Sequence, residues 1–259
     1  MQVIGVTGPS DSGKTTLVER LAARLADRGT VATVKHMTHA PDVDTEGKDT
    51  ARHREAGAGT TYGITDEEGW FATGERLGLV DALERLAPAH EYALVEGYGF
   101  ASLPRVALDG RPVEGDDRWG RIVASGDGVD DVDVAELVTT VDALAPFETL
   151  ASLRARTAAA DGRPVVGARA TVDASAGSDG ALARVSAALD RLDARDVAGV
   201  RTLRTHVQPG VFEGEPATAL AVATVDRPDA LGGAAAALVD ALDGVGDAAD
   251  VTVTTGDGS

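Results

Sequence analysis

The stretch "QVIGVTGPSDSGKTTLVERLAARLADRG", residues 2–29, decides the fold of the N-terminal half. It starts with a short apolar run that is rich in β-branched residues and ends at a glycine, which predicts a buried strand over 2–8. Apolar residues then recur at helical spacing, which predicts a helix over 14–29 with the stripe Leu17, Val18, Leu21 and Leu25. A glycine-rich turn therefore joins a buried strand directly to a helix.

That turn, "GPSDSGKT" from Gly8 to Thr15, has the spacing of a Walker A motif. Successive backbone N–H groups and the positive end of the following helix form a cradle for an anion. In this reading Lys14 reaches the β- and γ-phosphates of a nucleotide as a catalytic residue, and the Thr15 hydroxyl binds Mg²⁺. The alternative is a chance glycine-rich turn before a helix.

A second motif, "YALVEGYG" at 92–99, is an apolar strand that ends in a carboxylate. Glu96 stands where a Walker B acid is expected, so we assign it, with Thr15, to the metal site and to catalysis. The alternative is that Glu96 is only the polar residue at which the strand leaves the core.

The segment that follows the second strand carries an unusual share of the cations. The chain has three lysines, Lys14, Lys35 and Lys48, and none after residue 48. We therefore predict a second anionic ligand at the mouth of the phosphate site, held by Lys35, His36, Lys48, Arg52 and Arg54. Two alternatives stay open: a solvated charged loop, and a metal site formed by His36, His39, Asp42, Asp44 and His53.

Strands and helices alternate along the first half of the chain. Further strands are predicted at 31–37, 60–66, 92–99, 104–110 and 121–127, with helices at 75–87 and 134–144. This alternation predicts an α/β domain over 1–150, P-loop NTPase-like, with a mostly parallel sheet and helices on both faces.

A smaller α+β domain is predicted over 160–259, after the linking helix and turn "TLASLRARTAAADGRP". Its strands are predicted at 164–173, 200–206, 217–225 and 251–255, and its helices at 180–195 and 229–243. The residues expected in its core are Val200, Leu203, Leu220, Val222 and Leu238.

Composition limits the classes of partner. With 42 acidic and 24 basic residues the formal charge is −18, which argues against nucleic acid as a general partner. The acid excess is spread along the chain, which is typical of a strongly hydrated surface and indicates a salt-loving source. Absent cysteines exclude disulfides and thiolate chemistry, and no apolar run reaches the length of a membrane span. We expect a cytoplasmic protein that does not contact a membrane.

The motifs of residues 1–150 closely resemble those of the MobB family, P-loop GTP-binding proteins of molybdopterin guanine dinucleotide biosynthesis. The resemblance rests on the run from "GVTGPSDSGKTT" through "VKHM" and "GKDTARHREAGA", followed by "LVEGYG" and "LPRVAL". It implies GTP with Mg²⁺, and a homodimer that assists MobA, the enzyme that attaches GMP to molybdopterin. It also implies that Glu96 is the acidic partner of a nucleotide bound by Gly8, Pro9, Ser10, Asp11, Ser12, Gly13, Lys14, Thr15 and Thr16.

Residues 203–242 are more weakly similar to the MoaE family, the large subunit of molybdopterin synthase. Two His-Arg segments of that family correspond to His206-Val207 and Asp226-Arg227, so each has lost one member. The lysines that the family uses in catalysis have no counterpart beyond Lys48. We expect a MoaE-like domain without synthase activity.

Three functions stay open on the sequence. The first is a GTP-binding accessory protein of molybdenum cofactor biosynthesis that hydrolyses GTP slowly at most. The second is a P-loop kinase acting on a small anionic metabolite, and the third is a bifunctional molybdopterin synthase.

Overall fold

The computed structural model describes residues 1–38, 49–74, 76–111, 116–117, 120–172, 187, 200–243 and 252–256. The first half contains β1 (Gln2–Thr7), α1 (Lys14–Leu25), β2 (Val31–Lys35), α2 (Asp49–Glu55), β3 (Thr60–Ile64), β4 (Trp70–Gly74), α3 (Leu79–Leu86), β5 (Tyr92–Glu96), β6 (Arg105–Ala107), β7 (Asp116–Asp117), β8 (Gly120–Ser125) and α4 (Val134–Asp142). The second half contains α5 (Leu150–Asp161), β9 (Val165–Val172), β10 (Val200–Gln208), β11 (Ala217–Val225), α6 (Leu231–Asp243) and β12 (Thr252–Gly256).

The main sheet has six strands in the order β2-β5-β1-β6-β8-β7. Every pairing among the first five is parallel, and only the short β7 runs antiparallel to β8. Because successive side chains of a strand point to opposite faces of the sheet, β1 contributes side chains to two hydrophobic cores, one on each face. Ile4 and Val6 pack with α1 and α4 on one face, whereas Val3 packs with α3 on the other. This confirms the predicted mostly parallel α/β sheet with helices on both faces.

The strand predicted at 60–66 forms at Thr60–Ile64 but does not join the main sheet. It pairs antiparallel with β4, in register from Thr60↔Gly74 to Ile64↔Trp70, as a separate two-stranded hairpin. The chain turns back at residues 65–68, where the Glu68 amide donates to the Thr65 carbonyl at 3.0 Å and Glu68 has φ 64°. Helix α2 packs on β3, so the hairpin and α2 form one subassembly.

The C-terminal unit is a four-stranded sheet in the order β10-β11-β9-β12, antiparallel throughout. Helix α6 packs on one face through Ala234, Leu238 and Leu242. Helix α5 packs on the other through Leu153, against Val165, Leu220 and Val222. The segment predicted as a link is therefore a structural layer of this unit.

The core prediction for this unit holds for Leu220, Val222 and Leu238, which are buried. Val200 and Leu203 are only partly buried but pack against the same core. The helix predicted at 180–195 lies outside the described residues apart from Ala187.

The two units contact each other beside α3 and the segment that follows β5. The Ser102 amide donates to the Val211 carbonyl at 2.6 Å, and the Glu148 amide donates to Gln208 Oε1 at 3.0 Å. Val211 is buried in the same core as α3. Among the described residues, no helix is long and apolar enough to cross a membrane.

Candidate nucleotide-binding site

Three strand ends meet at one edge of the main sheet because β2, β5 and β1 are neighbours. In the registers of these parallel pairs, Glu96 lies opposite Lys35 on one side and opposite Val6 on the other. The loop after β1 therefore begins beside Glu96. Ligands of open α/β sheets bind at this carboxyl edge.

The loop from Gly8 to Thr15 is shaped by two glycines that no other residue could replace without a clash. Gly13 has φ +87°, and a Cβ there would come within 2.8 Å of the Val129 side chain. A Cβ on Gly8 would meet the Leu108 carbonyl oxygen at 2.8 Å. The loop is thus held closely between β6 and the turn that precedes α4.

The beginning of α1 is open to an anion. Gly13 is the residue that precedes the helix, and in the described part of the chain no side chain caps it and no acid occupies its first turn. The first N–H groups of a helix lack partners within the helix and carry its positive dipole end. They face a cavity of about 330 Å³, which is lined by Asp11, Gly13, Lys14, Thr15, Thr16 and Glu96.

The loop's own polar groups converge on one carbonyl. The Pro9 carbonyl accepts from the Ser12 hydroxyl at 3.0 Å and also from the Lys14 ammonium. Both donors curl back onto the loop, and the ammonium of Lys14 is exposed. A bound phosphate would offer Lys14 a stronger, charge-assisted partner than this neutral carbonyl.

Thr15, Glu96 and Lys35 form a polar cluster at the mouth of the loop. The Thr15 hydroxyl donates to Glu96 Oε1 at 3.0 Å, and the Lys35 ammonium lies 3.0 Å from the same oxygen. The Glu96 side chain is only 10% exposed, whereas Lys35 is 51% exposed. The carboxylate is therefore fixed in place, and the lysine can move away from it.

This cluster fits a magnesium ion. Mg²⁺ prefers oxygen ligands and is commonly held by one or two protein groups together with phosphate oxygens and waters. Thr15 Oγ1 and the Glu96 carboxylate supply such oxygens side by side, and Lys35 already places a positive charge against them.

The other predicted anion ligands are dispersed in the described structure. Arg52 and Arg54 lie on α2, where Arg52 pairs with Asp49 at 3.7 Å. His36 lies directly after β2, with its ring centroid 4.8 Å from that of Tyr98. Lys48 falls outside the described residues. The structure thus places Lys35 and His36 at the strand ends that form the site.

The alternative metal site receives no support from the described residues. His39, Asp42 and Asp44 lie outside them, and within them no group of three or more His, Asp or Glu side chains could hold a metal ion.

An aromatic cluster beside the site was not predicted. Tyr98 and Phe100 follow Glu96, and their ring centroids lie 5.8 Å apart. Phe100 stacks at 5.8 Å on Phe212 of the C-terminal unit, and His36 contacts both Tyr98 and Phe100. The run "EGYGF" was the available signal, because aromatic residues directly after a strand-end acid are placed at the same edge of the sheet.

Comparison with known proteins identifies the family. The family model of molybdopterin guanine dinucleotide synthesis protein B matches residues 3–118. A protein of Haloferax volcanii, named a probable molybdopterin synthase, is 32% identical over 231 residues, which cover 82% of this chain and 80% of that one. Residues 3–118 of this chain therefore form a MobB-family domain.

Further relatives align with less than half of this chain. A molybdopterin-guanine dinucleotide biosynthesis adapter protein of Haemophilus influenzae is 37% identical over 41% of this chain and 62% of its own length. A protein of Methanocaldococcus jannaschii, which also has the name of a molybdopterin-guanine dinucleotide biosynthesis adapter protein, is 34% identical. The alignment covers 42% of this chain and 47% of that protein. The chain therefore spans about two thirds or less of these two relatives.

Solved structures of the family were also found. A MobB homologue from Bacillus stearothermophilus shares 24% identity with a TM-score of 0.39, covering 56% of this chain and 100% of that structure. A molybdopterin-guanine biosynthesis protein B has the same identity and a TM-score of 0.41, covering 55% of this chain and 99% of that structure.

Proposed function

We propose that this protein is a GTP-binding adapter of molybdenum cofactor biosynthesis. The observation that carries the proposal is the pairing of the Thr15 hydroxyl with the Glu96 carboxylate at 3.0 Å, at the mouth of a loop that leads into an uncapped helix. The loop can bind phosphates, the cluster can bind their metal ion, and the family supplies the pathway. The choice of GTP over ATP rests on the family resemblance.

In the proposed complex the backbone N–H groups of the loop, which Pro9 lacks, surround the β-phosphate from Gly8 to Thr16. Lys14 leaves the Pro9 carbonyl for the phosphate oxygens, and Thr15 and Glu96 orient the metal. Mg²⁺ supplies the positive charge that offsets the phosphates. Lys35 shifts from Glu96 toward the anion, since its side chain is half exposed.

Hydrolysis is proposed to be slow at most. Glu96 accepts from Thr15 and is assigned to orienting the metal ion, so its carboxylate is committed to holding a cation. A carboxylate held in this way positions a metal ion but does not take a proton from an attacking water.

The proposed assembly is a homodimer that acts with the guanylyltransferase MobA on molybdopterin. The β3–β4 hairpin exposes three large apolar side chains, Tyr62 at 62%, Ile64 at 75% and Trp70 at 69%. An isolated hairpin is marginally stable in water, and a contiguous exposed apolar face marks an interaction surface. We assign this face to the second copy of the chain.

The C-terminal unit is proposed to be a MoaE-like module that has lost sulfur transfer. Arg227 pairs with Asp229 at 3.3 Å, and its side chain is 76% exposed. Burial lowers the pKa of His206, which favours the neutral ring. Neither residue replaces the amines of the missing lysines.

Product analysis tests this function directly. The full-length protein is incubated with GTP, Mg²⁺ and small anionic acceptors, and the nucleotides and acceptors are separated by chromatography. The proposal predicts GTP that is bound and at most slowly converted to GDP. A phosphorylated acceptor would contradict it and establish the kinase instead.

A further inference from the structure

A second cavity lies between the two units of the protein, remote in sequence from the nucleotide loop. Its volume is about 390 Å³, within the range of sites for small organic ligands, and such sites favour domain interfaces. One side is formed by α3 and the segment that leads into α5, and the other by β9 and the β10–β11 loop. Apolar side chains form much of its wall, among them Val80, Phe147, Leu150, Val211 and Leu220.

Two arginines from different elements face this cavity. Arg154 comes from α5, and its aliphatic part lies over Gly167 of β9, where an added Cβ would meet Arg154 Cγ and Cδ at 3.2 Å. Arg169 follows two residues later on β9 and therefore lies on the same face of the sheet as Gly167. The absence of a side chain at Gly167 therefore leaves room for the aliphatic part of Arg154 over β9.

Neither arginine has an ionic partner in the part of the chain that the structure describes. The Nε atom of Arg154 is buried and has no hydrogen-bond partner among the described residues. A buried donor without a partner costs about 1–3 kcal/mol, so native structures normally satisfy such groups. This chain has 42 acidic residues for 24 basic ones. Two arginines in one cavity that pair with no carboxylate of the described residues are therefore unexpected.

Two of the three carboxylates that line the cavity have partners other than these arginines. Glu148 is buried, with Arg156 Nη2 at 2.5 Å and the Ser152 hydroxyl at 2.9 Å. Glu215 accepts from the backbone amides of Val211 and Phe212, at 3.1 Å each. Glu84, a third carboxylate of the lining, is exposed on α3.

We propose that this cavity binds a small organic phosphomonoester. The dianionic phosphate matches two guanidinium groups, each of which can donate two parallel hydrogen bonds to it. The organic part lies against the apolar wall near Phe147 and Leu150, and the Thr218 side chain offers a further hydrogen bond. The inference is independent of the proposed nucleotide site, because no residue lines both cavities.

The test measures binding of 4-methylumbelliferyl phosphate, a ring that carries one phosphate, by equilibrium dialysis. The full chain carries Lys14→Ala so that the nucleotide loop contributes little binding. The expected result is one saturable site per chain, with 4-methylumbelliferone and inorganic phosphate binding at least about tenfold more weakly because each lacks half of the contacts.

Arginine variants in the same background locate the site. Arg169→Gln alone is expected to weaken binding about tenfold, and the double variant Arg154→Gln/Arg169→Gln more strongly. Arg169 is exposed on its strand, so its substitution leaves the packing intact and circular dichroism should be unchanged. The matched control is Arg201→Gln, a strand arginine outside the cavity that pairs with Asp226 at 3.5 Å.

Three outcomes would overturn the proposal. The first is an absence of saturable binding by the aryl phosphate in the Lys14→Ala protein. The second is binding that Arg169→Gln and Arg201→Gln weaken equally or not at all. The third is inorganic phosphate that binds as tightly as the aryl phosphate, which would show that the organic part of the ligand does not contribute to binding.

Discussion

At the scale of single residues, the nucleotide site depends on the position of one carboxylate. Glu96 is nearly buried yet contacts two partners from other elements, Thr15 of α1 and Lys35 of β2. The parallel register makes this geometry unavoidable, because Lys35 and Glu96 are opposite each other in the ladder. The function of Thr15 and Lys35 is therefore linked to the charge of Glu96.

Glu96→Gln is expected to affect turnover and nucleotide binding differently. The amide keeps the size of the side chain but loses the charge that organises a metal ion, so Mg²⁺-dependent turnover should fall more than nucleotide binding does. Steady-state GTP hydrolysis and calorimetric GTP binding, each titrated with Mg²⁺, give the comparison. Wild-type values for both would show that Glu96 is only a strand-end residue.

The proximity of the side chains that form the nucleotide site could be predicted in part from the sequence. Lys14, Thr15 and Glu96 follow from a glycine-rich turn and a strand-end acid, and parallel strands bring their ends together. The stacking of Phe100 on Phe212 could not be predicted, because it joins residues of two units whose relative placement no local pattern specifies. The arginine cavity was missed for the same reason.

At the scale of elements, the segment before β2 contains a polar contact that responds to pH. The Glu91 carboxylate accepts from the Thr30 hydroxyl at 2.5 Å and from the Thr30 amide at 2.7 Å. The hydrogen bond from the Thr30 side chain, followed by that from its backbone, lowers the pKa of Glu91. These bonds fix the chain where β2 and β5 begin, at the edge opposite the nucleotide site.

We expect Glu91→Gln to destabilise the protein at neutral pH and less in acid. A lowered pKa in the folded state gives stability that is present above the unfolded pKa and is lost as the pH falls through the folded pKa. Urea unfolding at a series of pH values measures the free-energy difference between wild type and variant. A difference that stays constant down to acidic pH would contradict the assignment.

The hairpin shows why the element pattern was only partly predictable. The run 60–66 is a strand by composition, and alternation with helices placed it in the main sheet. Its partner β4 contains Trp70 and Phe71 and follows a turn with Gly69, which together are a hairpin signal. β3 therefore pairs with β4, the next strand along the chain, and does not join the main sheet that the alternation of strands and helices predicted. In the same way α5 was interpreted as a link, because its weak amphipathicity hides that Leu153 packs on the sheet.

At the scale of the whole molecule, the exposed face of the hairpin predicts self-association. Trp70→Lys places a charge in the centre of the apolar face beside Tyr62, whose ring centroid lies 6.1 Å away. Central aromatic residues contribute most to interface stability, so the dissociation constant should rise more than about tenfold. Sedimentation equilibrium measures it, with Met37→Lys, an exposed apolar residue after β2 and outside the hairpin, as the matched control. A monomeric wild type, or equal effects of both variants, would exclude this interface.

The charge of −18 predicts that salt stabilises the fold. Repulsion among carboxylates opposes the compact state, and about 1 M salt screens charges over roughly 3 Å. The melting temperature should therefore rise with KCl at pH 7 and respond less near the isoelectric point of about 4.5. An equal salt dependence at both pH values would assign the effect to something other than net charge.

Isothermal titration calorimetry in high salt shows whether the loop from Gly8 to Thr16 binds a guanine nucleotide with Mg²⁺. We expect one site per chain that binds GTP more tightly than ATP and depends on Mg²⁺. Lys14→Ala should weaken GTP binding by roughly 10- to 100-fold with the fold intact, because a charge-assisted contact of an exposed side chain is lost. GTP affinity that is unchanged in Lys14→Ala, or tighter binding of ATP than of GTP, would contradict the account.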